Sequence, residues 1–195
     1  MDTYFDSWIS LIQKHASTPN VEVEIRLGKF NRGSFDTNVS KETYDKVLRR
    51  LRRYEGWEQV TESNTSNYYY DGGKRVTIDN STDEITDCVI KKRVCVDDKV
   101  LEKQMFDARL GISTEEPYER DEDAEYSKVR TRKRVSFLRK NLRIDVTAVS
   151  GDSDDQDCEN EMEYQIELEL LEIPEKKHEL YNMLYKVFCV LNITS

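Results

Sequence analysis

The sequence predicts an α+β domain dominated by one large antiparallel sheet. Three observations carry that expectation. Most of the chain between residue 60 and Pro174 reads as period-two strands. Three helical stripes stand before and after these strands, and no repeat or linker divides the 195 residues. That length suits a single domain, residues 1–195, with one sizeable core.

The elements follow in order. Phe5, Trp8, Ile9 and Ile12 repeat at helical spacing near the N-terminus. VEVEIRLG, Val21 to Gly28, alternates as a strand, with Val21, Val23, Ile25 and Leu27 on one face and Glu22, Glu24 and Arg26 on the other. Ser40 can cap a second helix whose apolar stripe is Tyr44, Val47, Leu48 and Leu51. Further strands are expected at Asn67–Tyr70, Lys74–Asp79, Cys88–Val96, Gln104–Ser113, Lys128–Leu138, Leu142–Val149 and Met162–Leu171. Gly72-Gly73 marks a turn between the first two of these. The acidic stretches Glu115–Glu125 and Gly151–Glu161 read as solvated loops. A last helix after Pro174 carries Leu180, Leu184, Val187, Phe188 and Leu191 on its apolar side.

The polar faces of the strands carry the chemistry. EMEYQIELELLE places Glu161, Glu163, Gln165, Glu167 and Glu169 together, a second acidic row to match Glu22 and Glu24. Between these two strands the polar faces are mostly cationic. Arg130, Arg132 and Arg134 align with Ser136; Lys91 aligns with Arg93; Arg143 aligns with Asp145 and Thr147. Arg75, Thr77 and Asp79 form another row, and Asp107, Arg109 and Ser113 another. A lone ExE strand is ordinarily a solvated face, and cross-strand Glu–Arg pairs also set opposite signs side by side. Two features point further. The cations are mostly arginine, the residue that binds phosphate oxygens bidentately, and the signs are segregated by strand. If the sheet closes on itself, carboxylates facing inward need a cation beside them. Hard divalent ions take such oxygen ligands, and a ring of arginine and lysine opposite would hold a polyphosphate for metal-assisted phosphoryl transfer to water.

The net charge of -9 excludes a protein that coats nucleic acid through its overall field, though not a local basic pocket. Cys88, Cys95, Cys158 and Cys189 show no CxxC spacing and no hydrophobic leader stands at the N-terminus. The expectation is therefore a soluble, intracellular protein with reduced thiols. The longest apolar run, near Val187 to Leu191, is too short to span a bilayer.

The two glutamate strands, with RTRKRVSF followed by LRIDVT between them, resemble the triphosphate tunnel metalloenzymes. More narrowly they resemble the metal-dependent RNA triphosphatases of fungal and large-DNA-virus mRNA capping systems, in the family's motif order from Val21 to the final helix. The resemblance implies an eight-stranded antiparallel β-barrel with a charged interior and a few flanking helices. It implies hydrolysis of the γ-phosphate of 5′-triphosphate RNA, with NTPs as side substrates and a guanylyltransferase acting next. By position, Glu22, Glu24 and Glu169 resemble the ligands of Mg²⁺ or Mn²⁺, and Glu167 resembles the glutamate that orients the attacking water. Arg132 and Arg134 stand where the family binds phosphate. Arg75, Lys91, Arg93, Arg109 and Arg130 match further basic positions. Asp145, with Thr147, resembles the acid that braces a tunnel arginine. Either Glu115 or Glu116 matches another family glutamate. Gln165 stands where many relatives carry glutamate, and Arg26 and Arg132 replace lysines. Monomer and homodimer both stay open, and no membrane partner is expected. Inside the same fold, the alternative is a CYTH-type triphosphatase for thiamine triphosphate, tripolyphosphate or nucleotides. Outside it, the alternative is a non-catalytic phosphate-binding module.

Overall fold

The computed structural model describes residues 5–121, 123–151 and 162–194. The alternating pattern of VEVEIRLG forms β1 (Val21–Asn31), which follows helix α1 (Asp6–His15) and turns through a short hairpin into β2 (Ser34–Asp36). Helix α2 (Lys41–Arg52) comes next, its first turn capped by the Ser40 hydroxyl, which accepts a hydrogen bond from the Thr43 amide. Seven strands then follow: β3 (Gln59–Tyr70), β4 (Lys74–Asp79), β5 (Ile85–Lys99), β6 (Asp107–Pro117), β7 (Lys128–Arg139), β8 (Leu142–Gly151) and β9 (Glu163–Leu170). Helix α3 (Lys177–Thr194) ends the described chain. Between β3 and β4 the chain turns at Asp71–Gly73, where Gly72 and Gly73 have φ of 74° and 77°. Only glycine takes this left-handed conformation freely, and a Cβ on Gly73 would also meet the Lys91 carbonyl at 2.6 Å.

Neighbouring strands run β1-β6-β5-β4-β3-β7-β8-β9, all antiparallel, and β9 pairs back onto β1 with Glu24 opposite Glu169 and Arg26 opposite Glu167. This last pairing closes an eight-stranded barrel; β2 lies outside it, paired only to β1. Closure removes the sheet's edges. It also inverts the usual layering, because the hydrophobic core lies outside the barrel wall. Val23, Ile25 and Leu27 of β1, Leu110 and Ile112 of β6, Phe137 of β7 and Ile166 and Leu168 of β9 are all buried. They belong to one cluster with Trp8, Ile9 and Ile12 of α1, Val47 and Leu51 of α2, and Leu180, Leu184, Val187 and Leu191 of α3. Trp8 also donates its indole N–H to Asp97 of β5 at 2.7 Å, which anchors α1 to the wall. No helix among the described residues is long and apolar enough to cross a membrane.

The strand boundaries depart from expectation in instructive places. β3 begins at Gln59, eight residues before the expected Asn67, because QVTESNTS is polar on both faces and shows no apolar alternation. β5 is likewise longer at both ends. β6 lies three to four residues later than expected, since Asp107 accepts the Leu101 and Phe30 amides and fixes the turn before it. In consequence Glu115–Pro117, expected in a solvated loop, are the last residues of a strand. β2 was not foreseen. The acidic residues 152–161, among them Cys158 and Glu161, and also Glu122, lie outside the described residues. Cys88, Cys95 and Cys189 are free thiols.

Candidate active site

Strand alternation determines which side chains reach the barrel interior. The interior holds a cavity of about 390 Å³ lined by Glu22, Glu24 and Arg26 of β1, Glu115 of β6, Lys91 of β5 and Arg75 of β4. Arg132 and Arg134 of β7, Arg143 of β8, and Glu167 and Glu169 of β9 complete its charged lining. The open question between two adjacent glutamates resolves to Glu115. It pairs with Arg75 at 3.2 Å and Lys91 at 3.3 Å, while the exposed Glu116 faces Lys92 outside.

Glu167 sits at the centre of the cationic side. It accepts a hydrogen bond from Arg134 Nη2 at 3.0 Å, and Arg26 Nε lies 3.0 Å away and Arg132 Nη2 3.6 Å away. Burial alone would raise its pKa, yet Arg26, Arg132 and Arg134 hold the carboxyl well below the ordinary glutamate range. Arg134 is itself fixed on three sides. Its Nε donates to the Thr147 hydroxyl at 3.1 Å, and its terminal nitrogens meet Asp145 at 2.9 Å and Glu167 at 3.0 Å. Arg132 has fewer anionic neighbours. Burial lowers its pKa, the Glu167 charge opposes the shift, and the adjacent Arg134 adds to it. This deficit of negative charge is what an incoming phosphate would supply.

The acidic side is arranged differently. Glu22 accepts from Lys91 and, at 2.8 Å, from the Ser113 hydroxyl. Glu24 accepts from Arg26 Nη2 at 3.1 Å, and Glu169 accepts from Arg143. The latter two carboxylates face each other in register across β1 and β9, a like-charge pairing that destabilises a sheet. Burial, chiefly, together with the Glu167 and Glu22 charges raises the pKa of Glu24 against Arg26 and Lys91. Burial likewise lifts Glu169 to about 7 despite Arg143. Opposite Glu24 stands Gly111, where a Cβ would come within 3.3 Å of the Glu24 carboxylate. A side chain there would crowd the space that carboxylate occupies. Among the described residues no set of three acidic, histidine or cysteine side chains is gathered as a ready metal site. Each carboxylate points at its cation. The donor set itself, three oxygen-bearing groups in mutual repulsion around one cavity, fits a hard divalent ion.

Among the described residues, buried polar atoms without a hydrogen-bond partner gather here: Nε of Arg75 and Arg132, Oδ1 of Asp145 and the Asn67 amide oxygen, while Arg26 Nε and Glu167 Oε1 meet each other at 3.0 Å without hydrogen-bond alignment. Such orphans are rare in folded proteins.

The structure separates the remaining expected residues from this cavity. Arg93 is exposed, beside the bulge between Arg93 and Cys95 in β5. Arg109 forms a bidentate pair with Asp98 at 2.7 and 2.9 Å and stacks over Phe35 at 4.6 Å. Arg130 is held by Glu163 beyond the cavity. Asp145 is buried behind Arg134 and Arg143 rather than on the cavity surface. Conversely, Arg143 lines the cavity and holds Glu169, though only its shared face with Asp145 and Thr147 marked it in the sequence. Ser63, Thr65 and Asn67 of β3 and Thr77 and Asp87 also line the cavity. Their uncharged or mixed character gave no signal apart from period-two spacing.

In metal-free protein kept in EDTA, the stability contributed by Glu169 depends on pH. Glu169 keeps its proton in the folded state up to about 7, whereas the unfolded chain releases it near 4.5. Between these values the folded state binds the extra proton, so the contribution of Glu169 to stability falls as pH rises from about 4.5 to about 7. In urea unfolding across that window, the wild type is expected to lose stability relative to Glu169→Gln, and a parallel course for the two proteins would refute it.

The profile of the family described as mRNA capping enzyme, beta chain (mRNA triphosphatase) matches residues 54–181, from the end of α2 through β9 into α3. The chain belongs to this family. As a capping-family barrel it is similar to the Schizosaccharomyces pombe Pct1 RNA triphosphatase. Their TM-score is 0.83 at 16% identity over 96% of this chain and 92% of that one. A second Pct1 structure, in complex with the Spt5 CTD, also matches with a TM-score of 0.83, at 15% identity over 96% and 93% of the two chains. A mimivirus capping enzyme triphosphatase gives a TM-score of 0.66 at 15% identity, covering 98% of each chain. At such identities the likeness speaks for the tunnel fold. No curated protein matches this sequence.

Proposed function

We propose that this capping-family chain is a polynucleotide 5′-triphosphatase, hydrolysing 5′-triphosphate RNA to 5′-diphosphate RNA and inorganic phosphate. The observation that carries the reading is a closed barrel whose interior sets Glu22, Glu24 and Glu169 against Arg75, Lys91, Arg132, Arg134 and Arg143. Family membership supports the substrate class. Glu22, Glu24 and Glu169 would hold Mg²⁺ or Mn²⁺, which when bound neutralises phosphoryl charge and acidifies water.

The other residues then have distinct tasks. Arg132 and Arg134 bind the γ-phosphate oxygens, and Arg75 and Lys91 extend the cationic wall for the rest of the triphosphate. Glu167 is held ionised by three arginines and is therefore a weak base. Its role is to accept a hydrogen bond from water and aim the oxygen at the γ-phosphorus. As the new P–O bond forms, the bond from the γ-phosphorus to the bridging oxygen breaks, the electron pair leaves with the β-phosphate, and the proton lost by the water passes to an oxygen of the released phosphate. Asp145 and Thr147 keep Arg134 in place throughout. The diphosphate end is the substrate form a guanylyltransferase consumes, which makes such an enzyme the partner in sequence.

A substrate panel tests the assignment. With Mn²⁺ or Mg²⁺, γ-labelled triphosphate RNA is expected to release labelled phosphate and leave a diphosphate end. ATP is expected to be a side substrate. A higher kcat/KM for thiamine triphosphate or tripolyphosphate than for RNA would overturn the RNA assignment in favour of a small-molecule triphosphatase.

A further inference from the structure

The protein carries a net charge of -9, yet five exposed cations stand beside one end of the barrel with no acidic partner among the described residues. Arg49 and Arg50 lie in the last turn of α2 and Arg53 caps it, while Arg139 ends β7 and Lys140 begins the turn into β8. Arg49 lies one turn before Arg53, the C-cap of α2, and Tyr54 follows Arg53 directly in the chain. Tyr54 joins the two groups. The Arg139 guanidinium stacks on its ring at 5.2 Å, and the ring stays 42% exposed, propped edge-on by Trp57 at 5.2 Å. Glu55 and Glu58 follow in the chain but pair with none of these cations among the described residues. Solubility alone does not account for this arrangement in an acidic protein.

Two observations connect the ridge to the cavity. Lys140 leads through the turn to Arg143, which lines the cavity and holds Glu169. At the same end, β3 is exposed on both faces from Gln59 to Asn64, and this stretch includes the cavity-lining Ser63, so the interior reaches solvent there. The turn has one further peculiarity. Lys140 has φ of 52°, in the left-handed region that hairpin loops usually reserve for glycine, asparagine or aspartate. A lysine stands where the backbone favours something smaller.

We infer that this ridge is a docking surface for single-stranded RNA, holding the first nucleotides that follow the 5′-triphosphate outside the tunnel. The cations follow the phosphodiester backbone, and the part of the Tyr54 ring that Arg139, Trp57 and Gly56 leave exposed adds aromatic surface for a base. An aromatic face set among cations favours nucleic acid over an acidic peptide. The inference rests on the RNA-triphosphatase reading, and a comparison of two substrates keeps the two apart.

The test measures kcat and KM for ATP and for a 5′-triphosphate RNA of about ten nucleotides, with the triple variant Arg53→Ala, Arg139→Ala, Lys140→Gly. The glycine suits the turn, and ATP hydrolysis reports on the fold. KM for RNA is expected to rise roughly tenfold, with a shallower dependence on salt because each lost phosphate contact removes about 0.7 from the logarithmic slope. KM and kcat for ATP are expected to stay unchanged. Addition of Tyr54→Ala should raise the RNA KM further. An RNA KM unchanged in the triple variant would overturn the inference and leave the ridge to an acidic protein partner. Equal losses for both substrates would also overturn it, as a fold defect. A wild type that hydrolyses ATP but not RNA would overturn the RNA reading itself.

Discussion

Glu24→Gln is expected to lower metal-dependent phosphate release by about a thousandfold, while circular dichroism and thermal unfolding show a folded barrel. The size reflects the several kcal/mol of charge stabilisation a bound ion supplies, at about 1.4 kcal/mol for each factor of ten. The fold is expected to persist because glutamine keeps the shape of the side chain. Its loss of charge also relieves the repulsion with Glu169 directly opposite and with Glu167 and Glu22 nearby. Activity and stability should therefore move in opposite directions, a pattern that a purely structural role for Glu24 does not produce. Turnover within threefold of wild type, with about the same metal requirement, would remove Glu24 from the ion's binding set.

Arg134→Ala has the largest effect expected on stability. Arg134 satisfies Glu167, Asp145 and Thr147 at once, and the two acids are 5% and 2% exposed. Glu167 keeps Arg26 and Arg132 and Asp145 keeps Arg143, so the cost does not exceed about 3 kcal/mol, the lower end for a buried ion pair that loses a partner. For a chain of this length that corresponds to a fall in Tm of up to roughly 12 °C. Arg134→Lys restores the charge but not the fork of donors that reaches three acceptors, so it should recover part of the stability and little of the turnover. Differential scanning calorimetry and single-turnover hydrolysis measure the two effects separately. A Tm unchanged in Arg134→Ala would mean that Arg26, Arg132 and Arg143 compensate Glu167 and Asp145 in full.

Much of this arrangement could be read before any coordinates. Period-two alternation put Glu22, Glu24, Glu167 and Glu169 on polar faces, and Arg132 and Arg134 likewise, because strand geometry links sequence parity to facing side. The closure that brings β9 onto β1 has no signature in one chain's sequence, and only the family resemblance implied it. Burial also modifies the pattern. Arg109 and Arg130 have the same parity as their neighbours, but Asp98 and Glu163 neutralise them at positions beyond the cavity. Arg93 keeps the parity of Lys91 and stands opposite Ser113, yet its side chain is exposed and lies off the cavity lining. The first half of β3 went unseen because a strand with one wall to a polar tunnel and the other to solvent has no apolar face to announce it. The same inversion leaves the core legible in the sequence. The apolar residues of the strands pack outward against the helices, and both partners keep ordinary amphipathic patterns.

The most direct test of the central claim is phosphate release from γ-labelled 5′-triphosphate RNA, measured with Mg²⁺ or Mn²⁺ and again with EDTA, on wild type and Glu24→Gln in parallel. The carboxylate clamp predicts release by the wild type with metal, its loss in EDTA with recovery on adding excess metal, and a near absence of turnover in the variant. Wild-type hydrolysis that EDTA leaves undiminished would contradict it.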